Sequence, residues 1–409
     1  MANYSLPHRA KNRIHKDGIS GLAIYGLEFS IRNIFSERLS SKIVDSSELS
    51  TDQISTRHWS FDDDIKTLEL KQIADRCEQK FSGKNYKSKP WEFTEPLVAE
   101  VPNVMISGVD ALPITEDGRV LGDVKYFDMN LKESSILGGM SRNLVRSPTR
   151  EGLALLGHSR AENVPSVSCA AVLNTRESSN FFNWMIYALP KIRGVRLYEK
   201  KTNNIVKLII PPNIPKYVRD FFELIDIDDD DLIIWKGNTM KVEHMIVPSF
   251  PEPTPGMIDW MRKTVKSSVE CTDGYPDWIY ISRQKANRRK VKNYEEFEKT
   301  LGKFGIKPVV LEDQSLEEQF KLFNSADGVI GLHGAGFTNL IWGENMKVIE
   351  IFPEAGQTTY CTISNILNYE YRCVVEKPVN SKDNPINRDV SIDLENIENI
   401  MGKMGFGSR

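Results

Sequence analysis

The chain of 409 residues holds Lys+Arg 53 against Asp+Glu 56, a formal net charge of −3 at pH 7. That length calls for roughly two or three domains, each burying its own core, and the charge gives no global drive toward nucleic acid. The cysteines (Cys77, Cys169, Cys271, Cys361, Cys373) are scattered and form no C-x-x-C or Cys/His cluster, which argues against a disulfide framework or a structural zinc and for reduced thiols in a cytosol.

Residues 1–20 are polar and basic, with no signal-peptide core, and no segment reaches the ~20 apolar residues of a membrane span. The expectation is a soluble, cytoplasmic protein. Apolar residues then recur with helical period at Ile19, Leu22, Ile24, Leu27, Ile31, Ile34, Phe35 and Leu39. A basic arm beside an amphipathic helix can lie on the anionic inner face of a membrane, which makes peripheral association one reading; docking on its own domain is the other. Glu28 and Glu37 weigh against the membrane.

Residues 97–130 read as β-rich, with a turn at Glu116–Arg119. From Val164 strands and helices alternate: strand Ser166–Leu173, helix Asn180–Ile192, strand Ile205–Ile210, helix Lys216–Ile225, then strands Leu232–Trp235 and Lys241–Val247. Pro248–Gly256 contains four prolines, which continue neither a helix nor a central strand and read as a stiff interdomain linker.

Beyond it, Trp278–Ser282 is a strand. Asn293–Phe304 is a helix with a capping box of Asn293 and Glu296, and Pro308–Leu311 is a strand. Ser315 and Glu318 form a second capping box, and strands Gly328–Leu332 and Val348–Phe352 follow. This alternation specifies a parallel, doubly wound α/β sheet. The domains are expected at 1–95 (a partly helical extension), 96–250, 257–375 and a tail with a helix at 376–409.

Ligands of doubly wound sheets bind beyond the carboxyl ends of the strands, and three features converge on that edge. Arg283, Arg288 and Arg289 follow the first strand; guanidinium forks suit phosphate, although a solvated basic loop is the plainer reading. His333-Gly334-Ala335-Gly336, with Asn339, forms a strand-to-helix turn. Its glycines would let backbone amides and a helix N-terminus approach a phosphate and would permit positive φ, unless it is merely a tight turn. Glu350 interrupts an apolar strand, where a carboxylate must be paired. It would accept hydrogen bonds from a ribose or pair with an arginine of the same edge. Together these describe a nucleotide site.

Other motifs carry less. Leu156-Gly-His-Ser-Arg-Ala161 resembles a hydrolase nucleophile elbow with Ser159. However, Ala161 replaces the last glycine, and Pro165 leaves no room for the following helix. The acidic runs Asp62–Asp64 and Asp228–Asp231 could hold a divalent cation, but read more simply as turns or caps. No G-x-G-x-x-G follows a first strand, which disfavours a nicotinamide enzyme.

The run Tyr280-Ile-Ser-Arg283, Arg288 or Arg289, Asn293-Tyr-Glu-Glu296, Gly331–Asn339 and Val348-Ile-Glu-Ile351 resembles glycosyltransferase family 61 over about eighty residues. That family includes bacterial capsular-polysaccharide proteins and eukaryotic xylosyl- and N-acetylglucosaminyltransferases. Asn180-Phe-Phe-Asn-Trp-Met-Ile-Tyr-Ala-Leu-Pro190 is similar to the family helix written N-Y-F-H-W-L-x-D-x-L-P. The stretch 101–123 and the closing segment 390–401 resemble it more weakly, and the first hundred residues do not.

The resemblance implies a GT-B architecture, two Rossmann-like doubly wound domains facing a cleft, behind the N-terminal extension. It also implies inverting transfer from a nucleotide diphosphate sugar, UDP-linked, to a glycan or lipid-linked glycan, with no cofactor and no metal. Arg283, Arg288 or Arg289, His333, Gly334, Ala335, Gly336, Asn339 and Glu350 match the donor site. The chain departs where the motif has histidine before tryptophan: Asn183 stands there, and Tyr187 replaces a common aspartate. Asn183 cannot act as a general base. His158 and Glu177 are the local alternatives, and Asn183 could instead bind sugar hydroxyls. A decayed, binding-only module is the second reading, and a serine hydrolase the remote one.

Overall fold

The structure, a computed structural model, describes residues 23–31, 33, 36–49, 56–61, 67–69, 90–92, 96–122, 136–137, 139–142, 164–173, 179–249, 253–270, 274–353, 359–379 and 387–407. His158, Glu177, Ser159, Asp62–Asp64 and the basic arm lie outside them. The chain divides into one unit of 1–64, 94–215 and 227–252, and a second of 65–93, 216–226 and 253–409.

In the first unit the strands are β1 (Ile43–Val44), β2 (Arg57–Ser60), β3 (Leu97–Ser107), β4 (Leu112–Ile114), β5 (Val120–Leu121), β6 (Ser166–Val172), β7 (Lys207–Ile210), β8 (Leu232–Ile234) and β9 (Thr239–Ser249). Among the described residues they form one sheet in the order β1-β5-β4-β3-β9-β6-β7-β8, with β2 on β3. The segment β9-β6-β7-β8 is parallel, as the strand–helix alternation requires, whereas β3 pairs antiparallel with β9, β4 and β2. The sheet is therefore mixed, a correction to the expected doubly wound parallel domain. The long antiparallel strand Leu97–Ser107 is the cause, since its inner positions Val101, Val104 and Ile106 share the core of Ala170, Val172 and Met245.

Glu100 sits inside that strand, 4% exposed. Arg57 of β2 (Nη2–Oε1 2.6 Å) and His244 of β9 (Nδ1–Oε1 2.9 Å) bind it. Burial pushes its carboxyl up, but Arg57 and His244 outweigh burial and hold it below the usual carboxylate range. A lowered folded-state value means the stabilisation is present above the ordinary carboxylate range and disappears as pH falls through the lowered value. Amide exchange of Arg57–Ser60 is therefore expected to accelerate in acid before that of Val101–Ile106. Simultaneous loss of protection would contradict this.

The helix expected at 180–192 is interrupted. Phe181–Asn183 is α-helical, with Asn180 accepting from the Asn183 amide (3.1 Å), and Trp184–Ala188 is a π-turn with Leu189 N bonded to Trp184 O at 2.9 Å. Pro190 then precedes α1 (Lys191–Thr202), which ends at Asn203 in the left-handed conformation, φ 58°. A proline lacks the amide that an unbroken α-helix would need there. The Asp228–Asp231 run is a capping box on a short 3₁₀ turn, with Asp228 accepting from Asp230 N at 2.9 Å.

Two thiols, Cys169 and Cys361, are free and buried, and burial pushes them up to about 11 and about 12, so neither is a nucleophile at neutral pH. Cys373, by contrast, is disulfide-bonded, so the expectation of a fully reduced set does not hold. No helix among the described residues is long and apolar enough to cross a membrane.

The second unit holds α2 (Lys216–Leu224), α3 (Pro255–Lys266), β10 (Trp278–Ile281), α4 (Tyr294–Lys303), β11 (Lys307–Val309), α5 (Leu316–Ser325), β12 (Gly328–Leu332), β13 (Lys347–Pro353), α6 (Thr359–Ile366), β14 (Glu370–Pro378), β15 (Val390–Ser391) and α7 (Leu394–Lys403). Its sheet runs β11-β10-β12-β13-β14-β15, parallel except for β15, which has the strand order and crossovers of a Rossmann-like sheet. Trp278, Tyr280, Ile330, Leu332, Ile349 and Ile351 face Phe297, Leu301, Ile397 and Met401 of α4 and α7.

The proline-rich segment is only partly a connector. Pro248 and Ser249 close β9, and Thr254 caps α3 by accepting from Met257 N (3.1 Å) with Pro255 in the first turn. Thr-Pro is a helix start, because proline's fixed φ suits that turn and its missing amide costs nothing there. Ser315 and Glu318 form the expected capping box. Asn293 does not, because its side-chain amide is committed to Ile392, just after β15, accepting from Ile392 N (2.9 Å) and donating to Ile392 O (2.9 Å).

Candidate functional site

The carboxyl edge of the second sheet gathers the residues that follow β10, β12 and β13. Gly331 lies beside both Ile281 and Glu350 in register, so Arg283, His333 and Glu350 are brought together by strand pairing alone. After β12 the chain turns at His333-Gly334 into a 3₁₀ helix, Ala335–Trp342. It is tighter than the expected α-helix but still presents the unpaired amides of a helix start to the edge.

The glycines serve close approach rather than unusual φ. Gly334 is extended (φ 173°, ψ 170°), a conformation open to any residue. A Cβ there would collide with Arg283 Nη1, and one on Gly336 would lie 2.9 Å from Leu311 Cδ1 and 3.0 Å from Ile281 Cγ2. The expectation of positive φ is thus corrected: the turn is glycine so that Arg283 can lie across it. Gly334→Ala should fold normally, since the obstructing atom ends a flexible side chain, but should displace the guanidinium. Affinity for pyrophosphate, the anion such a turn would hold, should fall about ten-fold, the worth of one charge-assisted hydrogen bond. Titration calorimetry checks this, and unchanged affinity would contradict it.

Arg283 and Arg289 are both partly buried, and each has a fully buried Nε that finds no partner. Arg283 donates to Arg288 O (3.3 Å) and Arg289 to His333 O (2.5 Å). Neither forms an ion pair among the described residues. Burial, followed by the charge of Arg283, presses the Arg289 guanidinium down to about 10, and burial also lowers Arg283. Both remain cations at neutral pH. Arg289 is moreover held in the left-handed region, φ 59°, which costs a non-glycine residue of order 1–3 kcal/mol. Of the pair left open by the sequence, Arg289 reaches the turn and Arg288 is exposed, contributing its carbonyl.

His333 (8% exposed) turns Nδ1 to Glu350 Oε1 at 2.5 Å, stacks on Phe352 at 5.0 Å and lies 5.5 Å from Tyr360. Glu350 is fully buried, and its other oxygen accepts from Tyr371 OH at 2.6 Å. Both carboxylate oxygens are committed to the protein. Glu350 therefore pairs with His333 and Tyr371, neither of which was expected; arginine does not bind it. A carboxylate can only accept, so it orients the imidazole with Nδ1–H inward.

Asn339 is also wholly buried. Its Nδ2 donates to Gln319 Oε1 (2.8 Å) and Gly336 O (3.1 Å), and its Oδ1 accepts from Trp342 Nε1 (3.0 Å). It pins the turn from beneath. Arg262 of α3 holds the far end of the same 3₁₀ helix, donating to Ile341 O (2.5 Å), Gly343 O and Tyr369 OH (2.8 Å). Tyr371, Gln319 and Arg262 carry no local sequence signal; only the tertiary register brings them here.

In the first unit Asn183 is partly exposed, and its side-chain amide makes no hydrogen bond among the described residues. It directly precedes the π-turn, a feature frequent at functional sites. Tyr187 packs edge-on against Phe182 at 5.3 Å. Among the described residues, no group of three or more His, Cys, Asp or Glu is placed to hold a metal ion.

No curated protein matches the chain significantly. The sequence model of the family described as Glycosyltransferase 61 matches residues 181–349, from the helix before the π-turn to β13. This span contains Asn183, Arg283, Arg289 and the whole His333–Asn339 turn, and it ends one residue before Glu350. Residues 181–349 are thus similar to glycosyltransferase family 61.

Proposed function

We propose that the protein is an inverting glycosyltransferase whose second unit binds a nucleotide diphosphate sugar, UDP-linked, and whose acceptor is a glycan or lipid-linked glycan. The observation that carries this is the pair of desolvated guanidiniums, Arg283 and Arg289, which have no carboxylate partner among the described residues and lie beside a glycine turn and a helix start. Buried cations are costly unless paired. A diphosphate supplies the missing counter-charge, and two planar forks suit its oxygens.

In this reading the acceptor hydroxyl attacks the anomeric carbon, forming one C–O bond as the C–O bond to the diphosphate breaks. The leaving diphosphate takes the electron pair, and the hydroxyl proton passes to a base. Arg283, Arg289, the turn amides and His333 stabilise the charge that grows on the leaving group. Such a cation set takes the role a divalent ion plays elsewhere, so transfer is expected without added metal. In the GT-B plan that the family implies, the first unit handles the acceptor. Asn183, with its unengaged amide, would bind acceptor hydroxyls and not remove their protons.

The second reading, a binding module that has lost turnover, draws on Asn183 and Tyr187. Asn183→His separates the two. A large gain of transfer marks a decayed site. Unchanged or lower transfer, from a wild type that already turns over, marks a site built around asparagine. Nucleotide binding with no transfer across a broad donor and acceptor panel would leave the binding module standing. The protein would act in the cytoplasm, with the basic arm at the inner face of the membrane.

A further inference from the structure

Arg289 keeps a left-handed backbone, φ 59°, in the position from which its Nη1 reaches His333 O. Nothing in an arginine side chain favours that region, so contacts outside the loop have to hold it there. The peptide that follows is tied on both sides. Lys290 N donates to Asp389 Oδ1 at 2.8 Å, and Lys290 O accepts from Val390 N at 3.0 Å. Lys292 is caught in the same place, its amide donating to Val390 O at 2.8 Å and its ammonium lying 2.8 Å from Asp389 Oδ2. The end of the arginine loop is thus clasped by a segment 99 residues later in the chain.

The clasp is rooted in the core. Val390 is fully buried, bridges Val291 in parallel and shares a cluster with Ile397 and Met401 of α7. Asp389 precedes it, with one oxygen on a main-chain amide and the other on an ammonium. Burial pushes its carboxyl up, but the Lys290 amide and Lys292 outweigh burial and hold it below the usual carboxylate range, so it is ionised at neutral pH. A hydrogen bond from an amide to a carboxylate is roughly twice as strong as a neutral one. The other ionic contact of the loop, Lys285 with Asp313 at 2.6 Å, joins two half-exposed side chains, and such surface pairs contribute little. Of the two, Asp389 is the one that fixes the peptide next to Arg289.

We infer that Asp389 is a positioning residue for anion binding: it touches no phosphate, but it locks the Lys290 peptide so that Arg289 stays left-handed with its guanidinium at the glycine turn. The inference rests on the donor-site reading above. It assigns a role to a residue beyond the family match, which ends at 349. The coupling is reciprocal: an anion on Arg289 has to tighten the clasp by the factor by which the clasp tightens the anion.

The test is titration calorimetry of the full chain with inorganic pyrophosphate and with UDP. It uses wild type, Asp389→Ala, Asp389→Asn, Arg289→Met and the double variant Asp389→Ala/Arg289→Met. Asp389→Ala should bind pyrophosphate about ten-fold more weakly than wild type, the worth of a charge-assisted hydrogen bond. Asp389→Asn keeps an acceptor for the Lys290 amide and should stay within about three-fold of wild type. In the Arg289→Met background Asp389→Ala should cost nothing further, because no guanidinium is left to place. The same order is expected for UDP. Equal affinity of wild type and Asp389→Ala overturns the inference alone. So does an equal loss with and without Arg289, which is what mere support of the fold would give. If Asp389→Ala does not fold, amide exchange decides: saturating pyrophosphate should slow the Lys290 and Val390 amides about ten-fold in wild type and leave them unchanged in Arg289→Met. No slowing in wild type, or equal slowing in both, overturns the inference. Failure of wild type to bind either pyrophosphate or UDP sinks the donor-site reading, and this inference with it.

Discussion

Replacing Arg283 and Arg289 together by methionine is expected to abolish measurable nucleotide diphosphate binding and, at the same time, to raise the thermal midpoint of the apoprotein. Each guanidinium offers charge-assisted hydrogen bonds worth about 1.5–3 kcal/mol, so losing both weakens binding by about two to four orders of magnitude. The opposite sign in stability follows from the same burial. Both side chains have a buried, unpartnered Nε and no ion pair among the described residues; burial disfavours the charge on each, and the charge of Arg283 adds to this at Arg289. Methionine keeps the apolar stem and removes the desolvated charge, which stabilises by about 1–4 kcal/mol where buried ionic groups have been replaced by apolar ones. The hydrogen bonds to Arg288 O and His333 O are lost, and this offsets part of the gain. Calorimetric scans and titrations on the same preparations check both halves. A variant that binds UDP normally, or that melts well below wild type, would show that these arginines serve the fold and not an anion.

Glu350→Ala has the second large effect, and it falls first on stability. The substitution strips the acceptor from His333 Nδ1 and from Tyr371 OH in a place with no solvent. Breaking such a buried, bonded group costs about 3–5 kcal/mol. For a unit of this size that corresponds to a fall in melting midpoint of about 6–20 °C. Binding falls as a consequence, because His333 O is the acceptor that anchors Arg289. Glu350→Gln keeps the shape and one acceptor oxygen and should lose roughly half as much. A midpoint unchanged in Glu350→Ala would contradict the inward role of this carboxylate. So would a loss confined to ligand affinity, with the apoprotein as stable as wild type.

Much of the carboxyl edge of the second sheet was legible because it depends on short-range patterns. The apolar strands Gly328–Leu332 and Lys347–Pro353 and the capping box at Ser315 need only local periodicity and local hydrogen bonds. What escaped depends on register. Nothing around Glu350 says that its oxygens meet His333 and Tyr371; that follows from Glu350 pairing beside Gly331 on one side and Cys373 on the other. Asn339 looked like part of the phosphate turn, yet its position on the buried side of a 3₁₀ helix makes it a support for Gly336.

Prolines misled for a different reason. Pro255 was read as a helix-excluding residue, although directly after Thr254 it is the first turn of α3. In the first unit, the mixed sheet came from one long antiparallel strand, whose alternation does not state its partners. Asn183 could be located in its motif from the sequence, but the π-turn that follows it could not, since that geometry comes from packing Trp184, Met185 and Ile186 into the core.

In the proposed reaction this chain transfers a sugar from a nucleotide diphosphate donor anchored by Arg283 and Arg289. The most direct measurement incubates wild type and the Arg283→Met/Arg289→Met variant with UDP- and GDP-sugars and glycan acceptors. Released nucleotide is quantified, and the anomeric configuration of the product is read by NMR. The predicted result is release and an inverted linkage with wild type and a UDP-sugar, both absent from the variant. A retained configuration, or transfer that survives in the variant, would contradict the account.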